Sequence, residues 1–153
     1  MNLSQIIPQI EKLKKQGKKI ITTNGCFDIL HRGHAYYLHE AKKLGDVLVV
    51  GINSDESVRD LKGIGRPLNK AVDRAYLISQ LKSVDFVFIF EESLPIEFLK
   101  KIAPHIHVKG GDYKVEALPE YPLLHSIGAR VVTIPFVEGY STTTTLEKMK
   151  NTD

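Results

Sequence analysis

Val47-Leu48-Val49-Val50-Gly51-Ile52 is an uninterrupted apolar run. A strand with no polar alternation must be covered on both faces, which is the condition of a parallel sheet with helices packed on either side. Parallel neighbours need long crossovers, and the flanking sequence supplies one. Lys19-Ile20-Ile21-Thr22-Thr23 reads as a buried strand ending at Asn24-Gly25. From Gly33 the period changes: Ala35, Leu38, Ala41 and Leu44 fall on one helical face, and Gly45 ends it. Strand, helix and strand therefore follow one another by Ile52.

The same alternation continues in both directions. Ile6, Ile7, Ile10 and Leu13 predict an N-terminal helix over about residues 3–16, with Pro8 in its early turns and Gly17 as its stop. Asn53 to Lys70 is polar and glycine-containing, and reads as a long functional loop with a short helical turn near Glu56 to Leu61. A helix is expected over Ala71 to Leu81, a strand over Val84 to Phe90, and a helix from Pro95 to near Lys101. Ile106 to Lys109 is the next strand. Residues 112–128 are mixed, interrupted by Pro119 and Pro122, before a strand at Arg130 to Ile134 and a last helix from Thr142 capped by Ser141. No repeat or linker divides the chain. The expectation is one domain over residues 1–153, a Rossmann-like three-layer α/β fold with a mainly parallel sheet and ligands at the carboxyl ends of its strands.

Charge narrows the function classes. Lys and Arg total 21 against 18 Asp and Glu, a net charge of +3, and no continuous basic or aromatic surface is apparent, so nucleic acid is not an expected partner. No segment has the uncharged apolar length of a bilayer span, and a membrane is not an expected partner either. The N-terminal lysines follow the apolar residues, the wrong order for secretion, and the single cysteine cannot form an internal disulfide. A cytoplasmic protein is expected.

Four polar segments follow strands and so converge on one sheet edge: 24–34, 53–67, 109–113 and 138–145. In the first, His31 and His34 flank Gly33 at a helix start, where backbone N–H groups and the positive helix end favour an anion, above all phosphate. Cys26, Asp28, His31 and His34 do not form a recognised zinc spacing, and Cys26 reads as a small buried hydrophobe. Lys62 and Arg66 lie in the second segment, with Lys18 or Lys19 as further cations within reach of a phosphate. Gly110 and Gly111 permit close backbone approach to a ligand, and Ser141, Thr142 and Thr143 offer hydroxyls and N–H groups at a new helix end.

His31-Arg32-Gly33-His34 resembles the HxGH signature of the nucleotidyltransferase superfamily related to class I aminoacyl-tRNA synthetases. TTNGCFDILHRGHAYYLHEAKKLGD, VVGINSDESVRDLKGIGRPLN, VKGGDY and EGYSTT extend the resemblance over nearly the whole chain, to the adenylyltransferases that make ADP-heptose. The residues after that last motif, Thr144 to Lys148, depart from the more apolar and basic continuation of that family. The resemblance implies transfer of AMP from ATP to D-glycero-β-D-manno-heptose 1-phosphate with release of pyrophosphate. It implies His31, His34 and Lys62 as catalytic, and Asn24, Gly25, Cys26, Phe27, Gly33, Arg66, Lys109, Gly110, Gly111, Asp112, Ser141, Thr142 and Thr143 on the nucleotide. Asp28, Asn53, Asp55 and Arg74 would face the acceptor; Asp28 would take a sugar hydroxyl or a magnesium-bound water. Magnesium is expected with ATP, held by phosphates and water, without assigned protein ligands.

The sugar phosphate is already an anion, so the absence of a Ser-His-Asp arrangement is no objection to this chemistry. A cytidylyltransferase acting on glycerol 3-phosphate shares the histidine pair and is the alternative, distinguished by CTP dependence. A tRNA-charging enzyme is disfavoured by size and by the lack of a KMSKS-like loop. A separate heptose kinase is expected as pathway partner, and a homodimer is expected from the resemblance, with Tyr36 and Tyr37 either contributing to it or packing within the monomer.

Overall fold

The computed structural model describes residues 1–152; Asp153, the last residue of the expected domain, lies outside the described residues. Five strands, β1 (Ile20–Gly25), β2 (Val47–Asn53), β3 (Phe86–Phe90), β4 (Ile106–Gly110) and β5 (Arg130–Ile134), form one sheet in the order β3-β2-β1-β4-β5. All four pairings are parallel. The chain winds outward from β1 to β3 and then crosses back to build β4 and β5 on the other side. β1 and β4 thus flank the point where winding reverses, and a doubly wound sheet opens a crevice there.

Successive strand residues point to opposite faces, and both faces are filled. Ile20, Val47, Val49, Phe88 and Phe90 pack with α1 (Leu3–Lys15), α5 (Ile96–Ile102) and α6 (Tyr121–Ser126), while Ile21, Leu48, Val50, Ile52, Ile106 and Val108 pack with α2 (Arg32–Lys42) and α4 (Ala71–Ser79). Every residue of β2 is buried, as the apolar run requires. α1 tolerates Pro8 because Ile6 and Ile10 on either side are fully buried, each burial contributing about 1.5–3 kcal/mol. Its start is held by a capping box in which Asn2 Oδ1 accepts from the Gln5 amide and Gln5 Oε1 from the Asn2 amide.

Two stretches are more regular than the sequence pattern suggests. The single turn expected near Glu56 is a two-turn helix, α3 (Asp55–Lys62), because Ser54 Oγ accepts from the Ser57 amide, Asp55 and Glu56 sit in the first turn, and Val58 is buried. In residues 112–128, a 3₁₀ turn (Val115–Ala117) leads into α6; Pro122 stands in its first turn, where its missing N–H costs nothing, and so opens the helix rather than interrupting it. The last helix, α7 (Thr142–Lys150), has Ser141 as its cap. Tyr37 packs within the monomer, its hydroxyl hydrogen-bonded to Thr23 Oγ1 and donating to Val108 O, whereas Tyr36 is exposed.

Candidate active site

At the end of β1 the chain turns sharply. Phe27 adopts a left-handed conformation, φ 48°, and its ring is buried. That turn brings Asp28 under the 66–69 segment. One Asp28 oxygen accepts from the Leu68 amide and, at 3.0 Å, the Asn69 amide; the other accepts from Arg66 Nε at 2.8 Å. Burial raises the Asp28 pKa, but these donors outweigh it and hold the carboxyl below its ordinary range.

His31 caps α2 and His34 stands on its first turn. The His31 amide donates to His34 Nδ1 at 3.3 Å, so the neutral His34 ring carries its proton on Nε2. The rings stack with centroids 3.8 Å apart, and Phe27 meets His34 edge-on at 5.2 Å. Burial, then the neighbouring His31 and Lys62, push the His34 pKa down to about 4; burial lowers that of His31 as well. A side chain at Gly33 would not fit, since its Cβ would come within 2.9 Å of the His31 ring and 3.1 Å of Tyr140 Cβ. Close helix–segment approach is the reason for glycine there.

A cleft of about 710 Å³ opens beside these residues at the carboxyl ends of β1 and β4. Asn24, Gly25, Cys26, Phe27, Asp28, His31, Gly33 and His34 line one side of it. Asn53 and Lys62 come from β2 and α3, Lys109 and Gly110 from β4, and Ser141, Thr142 and Thr143 from the start of α7. All four polar segments contribute to this lining: the first supplies eight residues, the last four, and the second and third three each. Lys62 makes no ion pair among the described residues. Ser141 Oγ accepts from the Thr144 amide and donates to Thr144 Oγ1, so its hydroxyl is committed to the cap. Burial raises the Cys26 pKa against the pull of Lys62, Arg74 and Arg66, which keeps the thiol protonated and weakly nucleophilic.

Seven residues named from the sequence stand outside the lining: Asp55, Arg66, Arg74, Gly111 and Asp112, with Lys18 and Lys19, which precede β1 at the amino ends of the strands, away from the cleft. Arg66 is tied to Asp28. Arg74 is fully buried behind the cleft, where it donates to Asn69 O, Cys26 O and Asp55 Oδ1, at 2.9, 2.6 and 2.8 Å. Asp55 also accepts from the Ala71 amide and so fastens α4 to α3. Gly111 is buried beside the Phe136 and Tyr113 rings, and Asp112 is exposed. The lining also includes Tyr113 and Tyr140, which stand in quoted motifs without an assigned role, and two residues that sequence reasoning passed over, Glu120 and Phe136. Glu120 and Phe136 carry no local signal.

Residues 22–146 match the cytidylyltransferase-like family. The chain is 54% identical over 139 residues to the bifunctional protein HldE of a Nitratiruptor species, covering 91% of this chain and 29% of that protein. It therefore spans about three tenths of the length of the curated relatives it matches. Among solved structures, a lipopolysaccharide core biosynthesis protein from Thermoplasma volcanium is similar at 34% identity and a TM-score of 0.65, covering 82% of this chain and 100% of that one. Pantoate-β-alanine ligase from Francisella tularensis shares the fold alone, with a TM-score of 0.65 at 16% identity over 99% of this chain and 78% of its own. With its sheet order, histidine-lined cleft and a family match across most of its length, the chain belongs to the cytidylyltransferase-like family and is a nucleotidyltransferase.

Proposed function

We propose that the cleft transfers AMP from ATP to D-glycero-β-D-manno-heptose 1-phosphate, giving ADP-heptose and pyrophosphate for lipopolysaccharide assembly. The observation that carries the reading is one convergence: His31, His34, Lys62 and the threonines opening α7 line a single cleft, in a chain 54% identical over 139 residues to a bifunctional protein HldE.

In the reaction, a 1-phosphate oxygen of the sugar attacks the α-phosphorus in line. The bond from that phosphorus to the bridging oxygen breaks, and its electron pair leaves on pyrophosphate. The protein must align two anions and screen the charge that develops between them. His34 would donate from Nε2 as a neutral imidazole, because its Nδ1 is occupied by the His31 amide. His31, whose Nδ1 is unpartnered, is the ring free to take up a proton. Lys62 brings a mobile cation to the transferring phosphoryl, and Thr142 and Thr143 offer hydroxyls and helix-end N–H groups to the outgoing phosphates. Asn53 uses its amide nitrogen on Ser57, at 2.8 Å, while its oxygen accepts from the Cys26 thiol at 3.9 Å, a weak contact that a sugar hydroxyl in the cleft can replace. Asp28, Arg66, Asp55 and Arg74 act as positioning residues that hold the 66–74 segment against the cleft.

Among the described residues no group of three or more His, Cys, Asp and Glu could hold a metal ion, and both Asp28 oxygens are taken. That donor set does not fit a protein-held magnesium. Magnesium is expected on the phosphate oxygens of ATP. The acceptor must be supplied by a kinase acting at the sugar C1 oxygen, which is the proposed pathway partner. A homodimer completes the proposal, and sedimentation at micromolar concentration tests it.

The function is tested by pyrophosphate release from the purified protein with magnesium, offering ATP or CTP with heptose 1-phosphate or glycerol 3-phosphate, and by product mass. ADP-heptose formed selectively from ATP is the expected result. CDP-glycerol instead, or no turnover with any pair, overturns the assignment.

A further inference from the structure

On the β4 side of the cleft, Glu120 immediately precedes α6, is 1% exposed and lines the cavity. Lys109 Nζ forms an ion pair with Glu120 Oε1 at 3.4 Å and His107 Nε2 stands 3.9 Å from it, yet neither closes a hydrogen bond, and the buried Oε1 is left with no hydrogen-bond donor. Asp28, the other buried carboxylate in the lining, has both oxygens engaged. A buried acceptor without a donor is unfavourable, and a ligand that brings the donor removes the penalty.

A carboxylate accepts and does not donate, and so do ionised phosphate oxygens, so the phosphate chain is not the partner of Glu120. The nucleoside carries the donors: an amino group on the base and hydroxyls on the ribose. Two aromatic rings decide between them. Phe136 is 73% exposed and Tyr113 is exposed too, and both line the cleft. Both rings lie against the backbone that follows Lys109, since a Cβ on Gly111 would come within 2.9 Å of each. Lys109, two residues before Gly111, reaches Glu120, so carboxylate and rings both gather on the β4 side of the cleft. Open aromatic faces beside an acceptor suit a flat heterocycle bearing an amine better than a diol.

We propose that Glu120 is a specificity-determining residue that accepts a hydrogen bond from the exocyclic amine of the nucleotide base. The inference rests on the nucleotidyl-transfer reading and adds to it a reason for the base to be chosen. A base with a keto oxygen in place of the amine would set acceptor against acceptor and be rejected.

The test is calorimetric binding of ATP, inosine triphosphate and 2′-deoxy-ATP to the wild-type protein and to Glu120→Gln, whose amide can turn an N–H towards a keto oxygen. Wild type is expected to favour ATP over inosine triphosphate by at least about tenfold, and Glu120→Gln to bring that ratio to about threefold or less. The ratio of ATP to 2′-deoxy-ATP is expected to stay the same in both. Glu120→Met, which keeps the bulk and loses the acceptor, repeats the test should the amide variant fail to fold. Equal wild-type affinity for ATP and inosine triphosphate overturns the proposal, as does selectivity that survives both substitutions. A change confined to the 2′-deoxy ratio also overturns it, placing the contact on the ribose. Failure of the wild type to bind any nucleotide removes the proposed function as well, whereas Glu120-dependent base selection without turnover of heptose phosphate removes only the acceptor assignment.

Discussion

Replacing Arg74 by Met is expected to unfold the cleft rather than to empty it. The guanidinium is fully buried and joins three places: the Cys26 carbonyl at the end of β1, the Asn69 carbonyl before α4, and the Asp55 carboxylate on α3. Loss of one partner from a buried ion pair costs about 3–5 kcal/mol when the other is left dry. Here the Asp55 side chain is 35% exposed and recovers water, so its share is small, but two carbonyls lose a charged donor worth about 1.5 kcal/mol or more each. The sum is about 3 kcal/mol. With a urea m-value of about 2 kcal/mol/M for a domain of this size, the midpoint should fall by about 1.5 M. Far-UV circular dichroism reads it, as the chain has no tryptophan. Arg74→Lys, which can restore only one of the three contacts, should lie between. A midpoint within about 0.3 M of wild type together with a raised KM for either substrate would refute this reasoning and return Arg74 to the substrate.

His34→Ala should lower kcat by about 10²–10³ while moving the urea midpoint little, since one donor to the phosphoryl is lost from a half-buried site; steady-state pyrophosphate release checks it. Gly33→Ala should displace the His31 ring or Tyr140 and lower kcat/KM with a small change in melting temperature, both readable on one preparation. His107 is fully buried and its pKa is pushed down to about 3, by burial first and Lys109 next. The unfolded chain therefore binds a proton below about pH 6.5 that the folded chain refuses, and stability should fall by about 1.4 kcal/mol per pH unit from this residue as pH drops from there towards 3. Urea midpoints between pH 7 and pH 5 should show a shallower slope in His107→Gln.

The parallel sheet was legible because β2 is apolar at consecutive positions, and the histidine-bearing turn because glycine and histidine types at that spacing have few other uses. Strand order adds what spacing cannot: it is the reversal between β1 and β4 that places Lys109 beside the end of β1. Neither charge nor motif shows that Arg66 is held by Asp28 and Arg74 by Asp55. A guanidinium satisfies carbonyls and carboxylates of its own chain as readily as a phosphate, and only the packing of Asn69, Cys26 and Asp55 around it shows which. Glu120 and Phe136 come from a mixed segment and from the turn after β5, where no periodicity marks a residue that reaches the cleft.

Two imidazoles stacked at 3.8 Å do not both hold a proton, and protonating His34 on Nδ1 would break its bond to the His31 amide. Burial lowers both pKa values, so the two imidazoles are neutral in the free protein at neutral pH, and His31 is expected to gain its proton when a polyanion arrives to stabilise it. Nucleotide binding then draws a proton out of solution. The heat of ATP binding should consequently change with the ionisation enthalpy of the buffer, and the cleft's affinity for triphosphate should tighten as pH is lowered from 8 towards the ordinary histidine range, about 6.5.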